Sequence, residues 1–352
     1  MDLRATVTTA NQPGAVGIVQ VSGEAERLTQ LLNILTARSG VQWDVGRLWL
    51  CDFAGIDSGL AGRVSETTAQ LMPHGGLRVV QKIEAWLREQ GVEAEKEIDT
   101  RVRYPEAASR IEADVLHAIA TASSPAAIDL LAEQPRLWKA WLETNPKSEI
   151  RNPKSRSHLL TPPTVVVVGR PNVGKSTLLN RLTGRSSAVV ADLPGTTRDW
   201  VGGLVELVPP GGDASRDAVA VRWLDTPGLR SSDDAVEQRA ILQARAVVEN
   251  ADVLIAMRDP ENGWPEVAEL PREPDLWVVN KADAGALPEG ERDAIHISAK
   301  SGDGVSELAE AVLERLGVST IERGRPWVFS QWLQSWAEGD RDPQELERYV
   351  SA

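Results

Sequence analysis

Gly169-Arg170-Pro171-Asn172-Val173-Gly174-Lys175-Ser176 fits the pattern G-x-x-x-x-G-K-[ST]. The apolar run Thr164–Val168 (TVVVV) precedes it, and Leu178, Leu179 and Leu182 follow at helical spacing. A strand, a glycine-bearing loop and a helix in that order aim backbone N–H groups at one point, where they can close around phosphate oxygens. The spacing assigns Lys175 to the terminal phosphates and the Ser176 hydroxyl to Mg²⁺, with Asn172, Val173, Gly174 and Thr177 in the same cradle. The bland alternative is a glycine turn with an incidental lysine, and the rest of the chain speaks against it.

Four companion motifs follow in order. Gly195-Thr196-Thr197-Arg198-Asp199 offers a switch with Thr196 and Thr197, of which Thr197 can close on Mg²⁺. Asp225-Thr226-Pro227-Gly228 ends a strand-like run; Asp225 can hold Mg²⁺ through water, and the Gly228 amide can sense a γ-phosphate. Asn280-Lys281-Ala282-Asp283 ends another run. A carboxylate there can accept from guanine N1–H and the exocyclic amine, a pair that adenine does not offer. Ser298-Ala299-Lys300 ends the next run and places a backbone amide near guanine O6. Each short motif is weak alone, but the ordered set points to GTP.

Around these motifs, apolar runs at 164–168, 218–225, 251–257, 275–280 and 294–298 alternate with helical stretches, the last helix running from Val305 to Gly317. The fold class is α/β: a P-loop GTPase G domain, a mostly parallel sheet with helices on both faces. Before it lies a small α+β domain with strands near 14–22, 46–53 and 66–72 and helices over 24–37 and after His74-Gly75-Gly76. Helices at 106–122, from Ser124-Pro125, and at 136–143 come between, with Ser124 expected as an N-cap. The expected domains are 1–104, a helical segment and basic linker at 105–158, the G domain at 159–318, and a short helical tail at 319–352. The linker stretch Lys147–Arg156 (KSEIRNPKSR) lacks interleaved aromatics and reads as solvated chain rather than an RNA-binding patch.

Composition narrows the class. The 352 residues carry a formal net charge of −13, of which −9 falls in 161–318. Acidity of this kind gives no general attraction for nucleic acid. One cysteine, Cys51, excludes an internal disulfide framework and a multi-thiolate zinc site, and in a strand it reads as a small buried core residue. No apolar run approaches the ~20 residues of a membrane span, and the N-terminus lacks a secretory core, so a cytoplasmic protein is expected.

The G segment resembles that of the MnmE (TrmE) tRNA-modification GTPases in GRPNVGKSTLLNRL, AVVADLPGTTRD, DTPGLR, NKAD and ISAKSGDGVSEL. Parts of these motifs are shared with the Era and Der ribosome-assembly GTPases. DTPGLRSSDDAVEQRA and the N-terminal QPGAVGIVQVSG and HGG favour the former family. Leu229 stands where Ras-like enzymes place a water-orienting glutamine, so another group must orient the nucleophile; by register with the family this is Glu237. The resemblance further implies K⁺ held partly by Asn172, and a 5-formyltetrahydrofolate-type folate in the N-terminal domain, with His74 as a candidate ligand residue. It also implies a homodimer through the N-terminal and G domains, an MnmG-type flavoprotein partner, and indirect action on tRNA with no membrane role. The two other readings are a ribosome-assembly GTPase of Era or Der type and a GTP-switched interaction protein without modification chemistry.

Several positions depart from the family pattern. Relatives carry Tyr-Thr-Gly-Glu before HGG where this chain has Arg63-Val64-Ser65-Glu66, and arginine after the first Pro-Gly where it has Ala15. Full-length members end in Cys-x-Gly-Lys, whereas this sequence ends ERYVSA. Tryptophan supplies 12 of the 16 aromatic residues. Trp138 and Trp141 (i,i+3) and Trp332 and Trp336 (i,i+4) each share a helix face. The two helices are expected to pack together as the remnant of a split helical bundle; the alternative has each pair packing separately on the G domain.

Overall fold

The structure is a computed structural model that describes residues 3–9, 14–38, 40–94, 99–144, 154–184, 201–225, 245–266, 270–284, 293–339 and 342–351. It divides into two compact units, neither continuous in sequence. One comprises 1–121, 138–146 and 330–352, and the other 122–137 and 147–329. The helical segment expected at 105–158 is therefore split between them. Among the described residues no helix is long and apolar enough to cross a membrane.

In the first unit, β1 (Arg4–Val7), β2 (Val19–Ser22), β3 (Leu48–Phe53), β4 (Asp57–Ser65), β5 (Thr68–Met72) and β6 (Glu93–Ala94) form one sheet in the order β3-β4-β5-β2-β1-β6. Helices α1 (Ala25–Leu35) and α2 (Leu77–Glu89) cover one face with leucine and isoleucine stripes at 28, 31, 32, 35, 83 and 87. Trp43, Cys51, Phe53 and Leu71 meet them in one core. Cys51 is buried there, and burial pushes its thiol pKa up, which suits a packing role. Arg63 is also buried and donates to the Ala25 carbonyl and to Thr29 Oγ1 (2.7 Å). His74 is exposed; its backbone N–H donates to Asp57 Oδ2 (2.8 Å) and its Nδ1 faces Asp57 Oδ1 at 2.9 Å.

The helices at the chain crossings carry the aromatic cluster. α3 (Thr100–Arg103) and α4 (Arg110–Thr121) precede α5 (Pro125–Ala132) and α6 (Gln134–Thr144). Trp138 is fully buried on α6, with Trp141 at 5.8 Å between ring centroids. Trp336, on the helix Gln331–Glu338, meets Trp138 at 6.0 Å and Trp141 at 6.3 Å, both edge-on. The two helices pack together as expected, except that Trp332 turns away and stacks on Tyr349 at 3.9 Å. Tyr349 donates to the buried Asp114 Oδ2 (2.5 Å) and Thr100 Oγ1 donates to Asp114 Oδ1, joining the last helix to α3 and α4. Burial, then the nearby Asp114 charge, pushes the Tyr349 phenol well above its ordinary range.

In the second unit, β7 (Thr164–Gly169), β8 (Val201–Leu207), β9 (Val219–Asp225), β10 (Val253–Arg258), β11 (Leu276–Val279) and β12 (Ile295–His296) run in the order β12-β11-β10-β7-β9-β8. All neighbouring pairs are parallel except β8 with β9. The sequence reading missed β8, because Gly202 and Gly203 in VGGLVEL interrupt its alternation. Parallel strands buried on both faces read as continuous apolar runs, and β10 is buried at every position.

The segment before the G motifs also belongs to this unit. Ala126 N–H donates to the Ala218 carbonyl (3.1 Å), and the Ser124 hydroxyl accepts from Ala220 N–H (3.0 Å) instead of capping its own helix. Arg156 is not solvated linker. It is buried, donates to the carbonyls of Glu322 (3.0 Å) and Pro326 (3.5 Å), and burial pulls its pKa down. Residues 147–153 of the basic stretch lie outside the described residues, and the short helix α7 (Ser157–Leu160) follows Arg156.

A double-mutant cycle tests the aromatic cluster. Trp138→Ala is expected to cost ~3–5 kcal/mol in denaturant unfolding. Trp138 and Trp336 should couple by ~0.5–1.5 kcal/mol; strictly additive effects would contradict the packing.

Candidate functional site

Chain order reverses at β7: β8 and β9 lie to one side of it and β10 to β12 to the other. Loops leaving the carboxyl ends of strands meet at such a switch point, and ligands bind there. The loop 170–174 leaves β7, Asp225 ends β9, Asn280–Asp283 leaves β11, and Ser298–Lys300 follows β12. Motifs more than a hundred residues apart are thus brought to one edge of the sheet.

Close backbone approach explains the glycines. A Cβ on Gly169 would lie 2.4 Å from the Met257 carbonyl oxygen on β10. Gly174 has φ +98°, and a Cβ there would lie 2.2 Å from Asn280 Nδ2. Only glycine allows that conformation and that contact together. α8 (Lys175–Thr183) starts immediately afterwards, so its free N–H groups and positive dipole end open at the loop.

The phosphate end is charged and partly closed in. Lys175 Nζ donates to the carbonyls of Gly169 (3.0 Å) and Arg170 (3.3 Å) and lies 3.8 Å from Asp225 Oδ1. Ser176 Oγ donates to Asp225 Oδ2 at 2.7 Å. Among the described residues, buried Asp225 Oδ1 accepts no hydrogen bond. Burial raises the Asp225 pKa, while the Ser176 hydroxyl and Lys175 ammonium pull the other way. A carboxylate oxygen without a hydrogen bond beside a hydroxyl is a hard-oxygen set that suits Mg²⁺. Thr177 is exposed in the first turn of α8, and Asn172 is exposed with φ +64°.

One buried side chain joins this end to the base end. Asn280 Nδ2 donates to the Val173 carbonyl (2.8 Å), and its Oδ1 accepts from Ala299 N–H (2.9 Å). Of the 298–300 amides, one of which is expected near guanine O6, that of Ala299 is therefore engaged with Asn280. Asp283 is exposed, and the Ser298 side chain beside it lowers its pKa, which favours the ionised carboxylate.

Two residues escaped the sequence reading. Asp259, fully buried at the end of β10, accepts from Lys281 Nζ (2.5 Å) and from the backbone N–H groups of Glu261 (3.1 Å) and Asn262 (2.6 Å). Burial raises its pKa, but these bonds outweigh it and hold the carboxyl low. An aspartate closing an apolar strand was the available signal. Arg181, which bonds the loop at 299–300, gave none. Thr196, Thr197, Gly228, Leu229 and Glu237 lie outside the described residues.

A family model described as a 50S ribosome-binding GTPase matches residues 164–281. A tRNA modification GTPase MnmE from Parasynechococcus marenigrum (strain WH8102) is 42% identical over 45% of this chain and 34% of that protein. A tRNA modification GTPase MnmE from Synechococcus sp. (strain JA-3-3Ab) is 30% identical over 92% of this chain and 82% of that protein. The chain thus spans only about a third of the relatives it matches at about 42% identity. Among solved structures, Aquifex aeolicus Era bound to GDP.AlF4- is 26% identical over 46% of this chain and 58% of that one, with a TM-score of 0.30.

Asp225→Asn tests whether this buried carboxylate is a metal position. A raised folded pKa means that this group's stabilising contribution is present below its unfolded pKa and lost as pH rises through the folded value. At neutral pH the buried charge is therefore a cost. The substitution should raise the thermal midpoint of nucleotide-free protein at pH 7 and lower Mg²⁺-dependent GTP affinity ~10–100-fold. An unchanged Mg²⁺ dependence would remove Asp225 from the metal shell.

Proposed function

This chain belongs to the tRNA modification GTPase MnmE family, and on that footing we propose that it binds GTP, hydrolyses it to GDP and phosphate, and serves tRNA wobble-uridine modification. The carrying observation is Asn280, whose buried amide bonds both the phosphate loop at Val173 and the base loop at Ala299.

The residues divide the work. The loop amides and Lys175 meet the phosphate charge, and Ser176 with Asp225 would hold Mg²⁺, joined by Thr197. When bound, Mg²⁺ neutralises charge developing between the β- and γ-phosphates. Asn280 and ionised Asp283 select guanine, and Lys281, braced on Asp259, fixes the turn between them. Glu237 orients the attacking water, since apolar Leu229 cannot. Asn172, on the exposed loop, would hold K⁺ as a further positive charge, with switch residues near 191–195 completing the site in a dimer of G domains.

By the same family reading, residues 1–104 correspond to the N-terminal dimerisation domain and 319–352 to a remnant of the split helical domain. The partners are a second copy and an MnmG-type flavoprotein, with tRNA reached through them in the cytoplasm. The −9 charge of the nucleotide segment supports indirect rather than broad direct contact with tRNA.

Glu237→Ala should reduce GTP turnover by ~100-fold or more with GTP affinity preserved; unchanged turnover would remove Glu237 from the role. Mass spectrometry of wobble uridines in a deletion strain tests the pathway. Loss of the modification is expected, and intact modification would leave a GTP-switched interaction protein as the better reading.

A further inference from the structure

We propose that Arg181 is a positioning residue for base selection, fixing the loop that reads the base onto the helix that holds the phosphates. The proposal rests on the guanine-nucleotide reading above and concerns the same site.

α8 begins with Lys175 and Ser176, and Arg181 stands in its last turn. Its Nε donates to the Ala299 carbonyl at 3.1 Å, and Nη2 donates to the Lys300 carbonyl. These bonds reach a loop more than a hundred residues away in sequence. A basic side chain serving only the helix dipole would need no such partner.

The Ala299 peptide is consequently held at both ends, its N–H by Asn280 and its carbonyl by Arg181. Among the described residues the turn is otherwise held by internal bonds, Ser298 N–H to the Asp303 carbonyl (2.9 Å), Gly302 N–H to the Ser298 carbonyl (2.7 Å) and Ser301 N–H to Ser298 Oγ (3.1 Å), and by the Ser298 side chain on Asp283. They set the shape of the loop but not its distance from the phosphate helix. Arg181 supplies that registration.

Arginine suits the task because its planar fork can meet two successive carbonyls, and charge-assisted hydrogen bonds are roughly twice as strong as neutral ones. Binding sites tolerate misplacement of only ~0.5 Å before recognition suffers. Base affinity therefore depends on α8 and the 298–300 loop keeping one spacing. A ligand or partner that displaced α8 would loosen the hold on the base and on the phosphates together.

The test compares the full chain as wild type, Arg181→Ala and Arg181→Lys. Stopped-flow release of N-methylanthraniloyl-GDP is measured first, followed by competition with GDP and with ADP. Release from Arg181→Ala should be roughly tenfold faster. The preference for GDP over ADP should shrink, with ADP affinity unchanged because the phosphate contacts remain. Arg181→Lys should recover part of both effects.

A wild-type GDP-to-ADP ratio in Arg181→Ala would overturn the proposal. A wild-type protein without GDP preference would instead contradict the guanine reading itself, so the two failures are distinguishable. If circular dichroism shows that Arg181→Ala is unfolded, Arg181→Lys alone decides: an unchanged ratio and release rate overturn the proposal, and intermediate values support it.

Discussion

The proposed nucleotide site depends on one buried carboxamide. Asn280 spends its Nδ2 donor on the Val173 carbonyl and its Oδ1 acceptor on the Ala299 amide, within 2.9 Å in each case. A buried amide left without partners is costly, so both bonds are strongly preferred together. The contact also dictates the loop it touches. Asn280 comes so close to Gly174 that no side chain fits there, which accounts for the second glycine of the motif more directly than turn flexibility does. Phosphate loop, base loop and left-handed backbone are then parts of a single constraint.

The proposed metal position has the opposite character. Asp225 is held in a buried setting that raises its pKa, with one oxygen on Ser176 and the other without a hydrogen bond among the described residues. Such strain is expected where a site is arranged for a charge that a ligand brings, and stability is lost for it. Lys175 lies near enough to temper the carboxylate, while its ammonium rests on two loop carbonyls. Among the described residues the two ends thus differ physically: the buried amide of Asn280 has both its groups hydrogen-bonded, whereas the buried carboxylate of Asp225 keeps one oxygen without a hydrogen bond.

Much of this was legible in the sequence because buried parallel strands leave continuous apolar runs and strand-end motifs have fixed spacing. The strands at 164–169, 219–225 and 253–258 and the loops that follow them came from those two signals. What was not legible came from tertiary pairing. β8 hid behind two glycines, Ser124 turned from its own helix to Ala220, and Arg156 left the linker for buried carbonyls. Arg181 has no local mark, since its partners lie on a loop distant in sequence. The discontinuous units were likewise hidden. Trp138, Trp141 and Trp336 signalled the contact between their two helices within the first unit, but nothing signalled the buried Asp114 joined to Thr100 and Tyr349.

The central claim is that Asn280 couples the two loops, and hydrogen exchange tests it most directly. Amide exchange is followed at Ala299 and at residues 174–178 in GDP-bound wild type and Asn280→Ala. The expected result is that both segments lose protection together in the variant, because one side chain restrains them both. Loss at Ala299 alone, with 174–178 as protected as in wild type, would contradict the account.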